Sequence, residues 1–510
     1  MKKLTNNICT TLGVLGVLLL GSCAEGYESP DGFDLGVKNS KMETPIQDSI
    51  SFKVSTDGKT ATISWPTVAG ADGHEVTFMN VDDPDNPVII DGYDKKIVDG
   101  SKFTIPVTED SKYKMLMRTL GNKELGNIDA DTARTFNFST LVPSVMTIPS
   151  GEEISSYIAA HPLDSVSEEV AIDLEPNGVY TMSGTLDFGY HKLTFRGDKV
   201  HRPVVNMTDD GHFETYTTLK VKYINFDMSE STAGGFIAMS KTAPDNIKVE
   251  NLWPYNISDK NPKLSKGHYM VEDPIYIANC WFKNLPHAIL YDNGLNCAFW
   301  YFTVSNCIVQ MRNETKSNIG FINLYTAGKA IKNIVIEKST IYNTVDNASA
   351  CFIRYQNQSN AQPSKTFGSY SAEYQSQSWT FSRTTFSKTY TGWRFVNNTS
   401  GNDFTLNVDH CIFNDVAQLY RMDMGSKTYR FNFLWSPRED DINRNNNMKD
   451  SGKAPFASVY DPQFKGDVTQ ELDFSLPNGG VDFTPQEYEI VVNRGGDPRW
   501  LPASSGAEEE

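Results

Sequence analysis

Three arginines follow apolar residues at similar places along the second half of the chain. They are Arg354 in Phe352-Ile353-Arg354-Tyr355, Arg394 in Trp393-Arg394-Phe395 and Arg421 in Tyr420-Arg421-Met422. Asn323, in Phe321-Ile322-Asn323-Leu324, takes the equivalent place one unit earlier. If the apolar neighbours point inward on a strand, the four polar side chains point outward together. Stacked guanidinium groups repel unless anions lie between them, and the planar fork of arginine suits carboxylates. A uronate-bearing sugar chain can supply such anions. So can protein acids such as Glu373 or Asp423. The stretch after Arg354 adds Phe367, Tyr370 and Tyr374, aromatic faces that can wall a sugar groove or merely cover a coil.

Other chemistry is less complete. Asp209-Asp210-Gly211-His212 offers paired acids, and Lys266-Gly267-His268 offers bases that, with Arg354 or Arg394, suit proton abstraction beside a carboxylate. No second motif completes either set. Asp441-x-Asn443-x-Asn445, in a predicted loop from Arg438 to Lys453, places alternating oxygens as a calcium loop does, but lacks the usual glycine and closing glutamate. A solvated polar loop is the plainer reading, so calcium is a candidate ion and no other cofactor is predicted. No CxxC pair occurs, and no zinc or other metal site is predicted.

The elements that carry these residues repeat. Aligned on one small or cysteine position, segments such as Ile275-Tyr276-Ile277, Phe302-Thr303-Val304 and Leu406-Asn407-Val408 each place two apolar residues two apart. The aligned positions are 198, 224, 252, 280, 307, 339, 384 and 411, with gaps of 26, 28, 28, 27, 32, 45 and 27 residues. A period near 27 with strand alternation predicts stacked coils that bury one continuous core. Cys280, Cys307 and Cys411 then share an inward column, where buried thiols pack as small apolar groups. This accounts for five cysteines after Cys23 without a disulfide framework. Asn284, Asn343 and Asn414 suggest part of an asparagine ladder, in uneven register. The two longest gaps predict loops leaving the solenoid, one over 356–378.

Upstream, residues 49–142 show short alternating strands between turn clusters, as in a seven-strand sandwich, with Trp65 and Tyr113 as core aromatics. Ser150 and Glu153 form a capping-box pattern before Ile154, Tyr157 and Ile158, and Pro162 ends it, which predicts a short helix over the open end of the solenoid. At the N-terminus, Lys2-Lys3, an apolar run to Leu20 and Gly21-Ser22-Cys23 describe a secretory signal. The net charge of −17 argues against nucleic acid as a partner.

Several stretches resemble known families. Leu20-Gly21-Ser22-Cys23 resembles a bacterial lipobox, which implies lipidation of Cys23. The acidic stretch Ala24–Asp31 is similar to surface-export tethers of lipoproteins in Bacteroides-like bacteria. The sandwich resembles a fibronectin type III domain. The coils resemble the pectate-lyase-like superfamily. Phe195-Arg196-Gly197 through Asn206 and the ending Gly496-Asp497-Pro498-Arg499-Trp500 resemble lipoproteins of unknown function from polysaccharide-utilisation loci. Leu406-Asn407-Val408-Asp409-His410-Cys411 is similar to the Trp-Ile-Asp-His-Cys strand of pectate lyases, with asparagine at the tryptophan position. The lyase calcium cluster and Arg-x-Pro-x-x-Arg stretch are not matched, nor is the polygalacturonase set. An ordinary coil turn is the simpler reading of Asp409 and His410.

The fold class expected is all-β: a right-handed parallel β-helix preceded by a small fibronectin type III-like sandwich. The expected divisions are 1–22 lipoprotein signal peptide, 23–48 flexible tether, 49–142 sandwich, 147–502 β-helix with C-terminal cap, and 503–510 tail. The resemblance implies a lipid-anchored protein at the outer-membrane surface that binds a polysaccharide, pectin being a leading class, with a TonB-dependent transporter complex as a further partner. Arg354, Arg394, Arg421, Asn323, Tyr370 and Tyr374 are the expected contacts. No catalytic residue is assigned. A polysaccharide lyase or glycoside hydrolase, or an adhesive stalk, are the alternatives.

Overall fold

The computed structural model describes residues 37–164, 167–252, 267–312, 320–345, 351–356, 377–392, 394–397, 404–419, 426–450 and 457–503. They divide into two compact units between Leu141 and Val142.

In the first unit, alternation decides the architecture. Strand Lys112–Gly121 buries every second side chain, and so pairs through one face. Strands Ser51–Val54, Thr60–Ser64 and Lys102–Pro106 form one antiparallel sheet. Ala71–Asn80, Lys112–Gly121 and Arg134–Ser139 form the other, with the short Val88–Ile89 and Lys96–Val98 beside Ala71–Asn80. Trp65 and Tyr113 are both in the buried core. The Trp65 indole N–H donates to His74 Nε2 at 3.0 Å, and His74 Nδ1 meets the Thr119 hydroxyl at 3.1 Å. Burial holds the imidazole neutral, with its pKa lowered to about 4.

The second unit is a right-handed parallel β-helix. Among the described residues, two ten-stranded sheets and one seven-stranded sheet run along it, every pairing parallel. The first sheet, from Ser144–Ile148 to Ser426–Arg430, stacks Leu219, Ile275, Phe302, Ile334, Trp379 and Leu406 in register. Their side chains join one apolar core. Such stacking satisfies every strand through its neighbours, which a lone coil cannot do.

The corner between the first and second sheets is a two-residue turn. Its first residue is left-handed in successive coils: Tyr223, Asn279, Asn306, Lys338, Arg383, His410 and Phe431, with φ between 47° and 59°. Its second residue points inward, and its carbonyl accepts from the next coil. Cys280 O accepts from Ile308 N at 3.2 Å, Cys307 O from Thr340 N at 2.9 Å and Cys411 O from Phe433 N at 2.9 Å. The predicted cysteine column is therefore present, with Ser339 and Thr384 between Cys307 and Cys411. All five described cysteines are free and buried. Burial raises the thiol pKa of Cys307 to about 11 and that of Cys411 to about 12, which leaves them inert.

Two aligned positions require correction. Residues 245–252 form a 3-10 turn and a short helix, not a coil, and strand Leu219–Lys222 pairs directly with Tyr269–Ala278. One coil thus carries an insertion about as long as one further period. Asp198 is not in the column either. It caps its own loop through Val200 N and His201 N, and Pro203 takes the corner. The asparagine ladder is partial. Asn414 reaches Ser387 and Asn284 reaches Ser229 and Gln310, whereas Asn343 lies one residue out of step.

The ends are closed by helices. Ile154–Ala160 packs Ile154 into the core, but its cap is Glu153, accepting from Ser156 N, while Ser150 accepts from Val179 N. The expected loop at 438–453 contains helix Glu439–Asp450 instead. The closing segment then crosses the outer face of the second sheet. Thr340 donates to Asp497 at 2.8 Å and accepts from the Trp500 indole at 2.7 Å, and Arg499 pairs with Asp497 and Asn306. The Gly-Asp-Pro-Arg-Trp ending is thus a clamp across successive coils.

Candidate functional site

The third sheet carries three of the predicted contacts, Asn323, Arg354 and Arg394. Its strands include Thr185–Asp187, His212–Thr215, Gly235–Met239, Ala288–Tyr291, Ile322–Leu324, Cys351–Tyr355 and Arg394–Val396. Leu186, Phe213, Ile237, Leu290, Ile322 and Ile353 lie in the core. The following residue of each strand turns away from it, and these partners run in register: Asp187, Glu214, Ala238, Tyr291, Asn323 and Arg354.

Asn323 and Arg354 are adjacent, as the sequence predicts. The Arg354 guanidinium lies 3.7 Å from the ring centre of Tyr325, whose side chain is 42% exposed. Tyr325 shares the side of Asn323 because it lies two positions further on, with Leu324 alone between them. Stacking occupies a guanidinium face and leaves its edge for in-plane donation. Arg354 is largely buried, and burial lowers its pKa from the ordinary arginine value. Among the described residues no carboxylate forms an ion pair with it. The Asn323 side-chain oxygen is buried without a hydrogen-bond partner.

Arg394 does not continue the row. It pairs with Cys351, and Val396 pairs with Ile353, so Asn397 lies opposite Arg354. Aligning the two arginines requires the path from the corner to Arg394 to be five residues shorter than that to Arg354, but the paired strands differ by only two, so Arg394 falls three residues, about 10 Å of strand, out of line. The two arginines are not the stacked pair that the sequence suggests. Arg421, Tyr370, Tyr374 and Cys23, with Phe367, Glu373, Asp423 and Lys266, lie outside the described residues. His268 is fully buried, which removes it as a surface base.

The early end of the row holds a polar cluster. Glu214 accepts from His212 Nε2 at 3.2 Å, Asn293 at 2.7 Å and Lys241 N at 3.1 Å. His212 Nδ1 meets the Asp210 carbonyl at 2.6 Å. Burial opposes charge on both partners. The hydrogen bonds outweigh it, raising the His212 pKa and lowering that of Glu214. With acceptors at both ring nitrogens, the protonated form of His212 is favoured, which makes it a poor base. Asp187 accepts from Ser240 and Thr242. Sequence reading named the paired acids of Asp209-Asp210-Gly211-His212 but missed Glu214, Tyr291, Asn293 and Tyr325. The alternation His212-x-Glu214 and Asn323-x-Tyr325 was the available signal.

The remaining candidates have structural roles. His410 is the left-handed corner residue of its coil, and Asp409 receives Arg430 at 2.9 Å. This is an ordinary turn. In the helix at 439–450, Asp441 pairs with Arg438, and Asn445 bonds Leu419 N and Ala417 O. Among the described residues no group of three or more histidine, cysteine or acidic side chains is placed to hold a metal ion.

A family described as a domain of unknown function (DUF4992) matches residues 8–183, and another domain of unknown function (DUF4957) matches residues 178–344. No curated protein matches the chain. Among solved structures it is similar to pectate lyase PelI of Erwinia chrysanthemi in complex with tetragalacturonic acid, at 11% identity over 86% of this chain and 95% of that one, TM-score 0.19. It is also similar to a family 28 exopolygalacturonase of Yersinia enterocolitica, at 10% identity over 77% of this chain and 86% of that one, TM-score 0.18.

Proposed function

We propose that this chain is a cell-surface lipoprotein, anchored through Cys23, that binds an acidic, pectin-like polysaccharide on the outer row of its third sheet. The observation that carries this reading is Arg354: a largely buried guanidinium, stacked on an exposed tyrosine, beside the unpartnered Asn323 oxygen and without a carboxylate among the described residues. A buried cation is costly unless an anion meets it, and a sugar carboxylate fits the free edge of the fork. Tyr325 and Tyr291 offer ring faces for sugar. In this reading the fibronectin-like sandwich is a spacer above the membrane, and an outer-membrane TonB-dependent transporter receives the glycan.

Binding and cleavage separate in one experiment. The full chain is incubated with polygalacturonate, with and without calcium, and followed by affinity electrophoresis, unsaturated-product absorbance and reducing-end release. Retardation without new ends is expected, with Arg354→Ala weakening it about thirtyfold, a loss of about 2 kcal/mol. New ends would establish a lyase or hydrolase instead. No retardation would leave the stalk.

A further inference from the structure

Charge changes sign along the outer row of the third sheet. Four coil steps separate Glu214 from Arg354, about 19 Å at the usual strand spacing. At the early end stand the exposed Asp187, Asp209 and Asp210, with the buried Glu214. His212 and the exposed Lys241 are the basic groups set against these four carboxyl groups. At the far end stands Arg354.

On the floor between the ends the outward residues Ala238, Tyr291 and Asn323 carry no charge, and Asp292 beside them is buried and accepts from Gly294 N, Ala327 N and Gly328 N. Ala238 presents a single methyl between Glu214 and Tyr291. The Tyr291 ring lies on the Gly234-Gly235 backbone so closely that a Cβ on Gly235 would come within 2.5 Å of it. The ring also meets His212 edge-on, at 5.9 Å between centres. Neutral sugar suits this floor and the acids beyond it, because sugar hydroxyls donate to carboxylates. A second sugar carboxylate cannot donate and is repelled there.

We infer that this face selects a sparsely charged acidic glycan, with one carboxylate on Arg354 and neutral units over Tyr291, Ala238 and the Asp187–Glu214 end, and discriminates against a chain ionised at every unit. The inference rests on the acidic-glycan reading and narrows it to a substrate class.

The test uses one backbone at graded charge: galacturonate polymer with every carboxylate free, with about one in four free, and fully methyl-esterified. Affinity for the full chain is measured at low salt. The sparsely charged polymer is expected to bind about tenfold tighter than either extreme. The exposed-site variant Asp187→Asn should narrow its margin over the fully ionised polymer. Equal or tighter binding of the fully ionised polymer would overturn the inference, and the acidic-glycan reading would stand if Arg354→Ala still weakened binding. Affinity indifferent both to esterification and to Arg354→Ala would overturn the two together.

Discussion

Two rows of residues run along successive coils of the β-helix, and they behave differently. The corner column of Ile224, Cys280, Cys307, Ser339, Thr384 and Cys411 repeats one job in every coil: a small or apolar group inward and a carbonyl to the next coil. The outer row of Asp187, Glu214, Ala238, Tyr291, Asn323 and Arg354 changes chemistry at nearly every step. A buried column answers to packing, which is the same in each coil. An outer row faces solvent or ligand and is free to vary.

The sharpest way to break this contrast is to put a charge in the column. Cys307→Asp should destabilise the β-helix by on the order of 5 kcal/mol in urea unfolding, because nothing in the column can pair with it. Next, Asp497→Ala should cost about 3 kcal/mol in the same assay, since it removes the buried carboxylate that both Arg499 and Thr340 use, leaving Arg499 only Asn306. In the sandwich, His74 gives a pH signature. Its folded pKa, near 4, lies below the unfolded value of about 6.5, so its contribution is full above 6.5 and is lost as pH falls through 4. Hydrogen exchange in strand Lys112–Gly121 should weaken by on the order of 2 kcal/mol over that window, measured against His74→Gln. The smallest effect is expected for Cys307→Ser, at about 1 kcal/mol or less. Ser339 occupies the same column and donates to the carbonyl two residues back at 2.7 Å, and Cys307 already faces the Ser305 carbonyl.

The column was legible in the sequence because a two-residue turn keeps its spacing constant. The cysteines alone mark it, and the core aromatics of the sandwich are equally plain. Legibility failed where turn length varies. The insertion after Met239 imitates a period, which produced a false coil at Leu252, and the path to Arg394, shorter by two residues where alignment needs five, leaves it out of line with Arg354. Asn323 and Arg354 were found because they sit in register on neighbouring strands. Tyr325 was missed because counting from the corners gives no weight to alternation beyond the strand end. Glu214 was missed because its partners, Asn293 and Lys241, arrive from turns of other coils. The Asp-His corner at 409–410 is the ordinary turn that its plainer reading gives, whereas the stretch 441–445, read as a polar loop, lies within a helix.

The central claim is that glycan lies along the outer row of the third sheet. Hydrogen exchange on the full chain, with and without saturating partially esterified galacturonate polymer, tests it directly. Protection is predicted over strands Ala288–Tyr291, Ile322–Leu324 and Cys351–Tyr355 and the turn that carries Tyr325. Protection confined instead to the outer face of the first sheet, where Tyr276 and Tyr301 stand, would contradict the account.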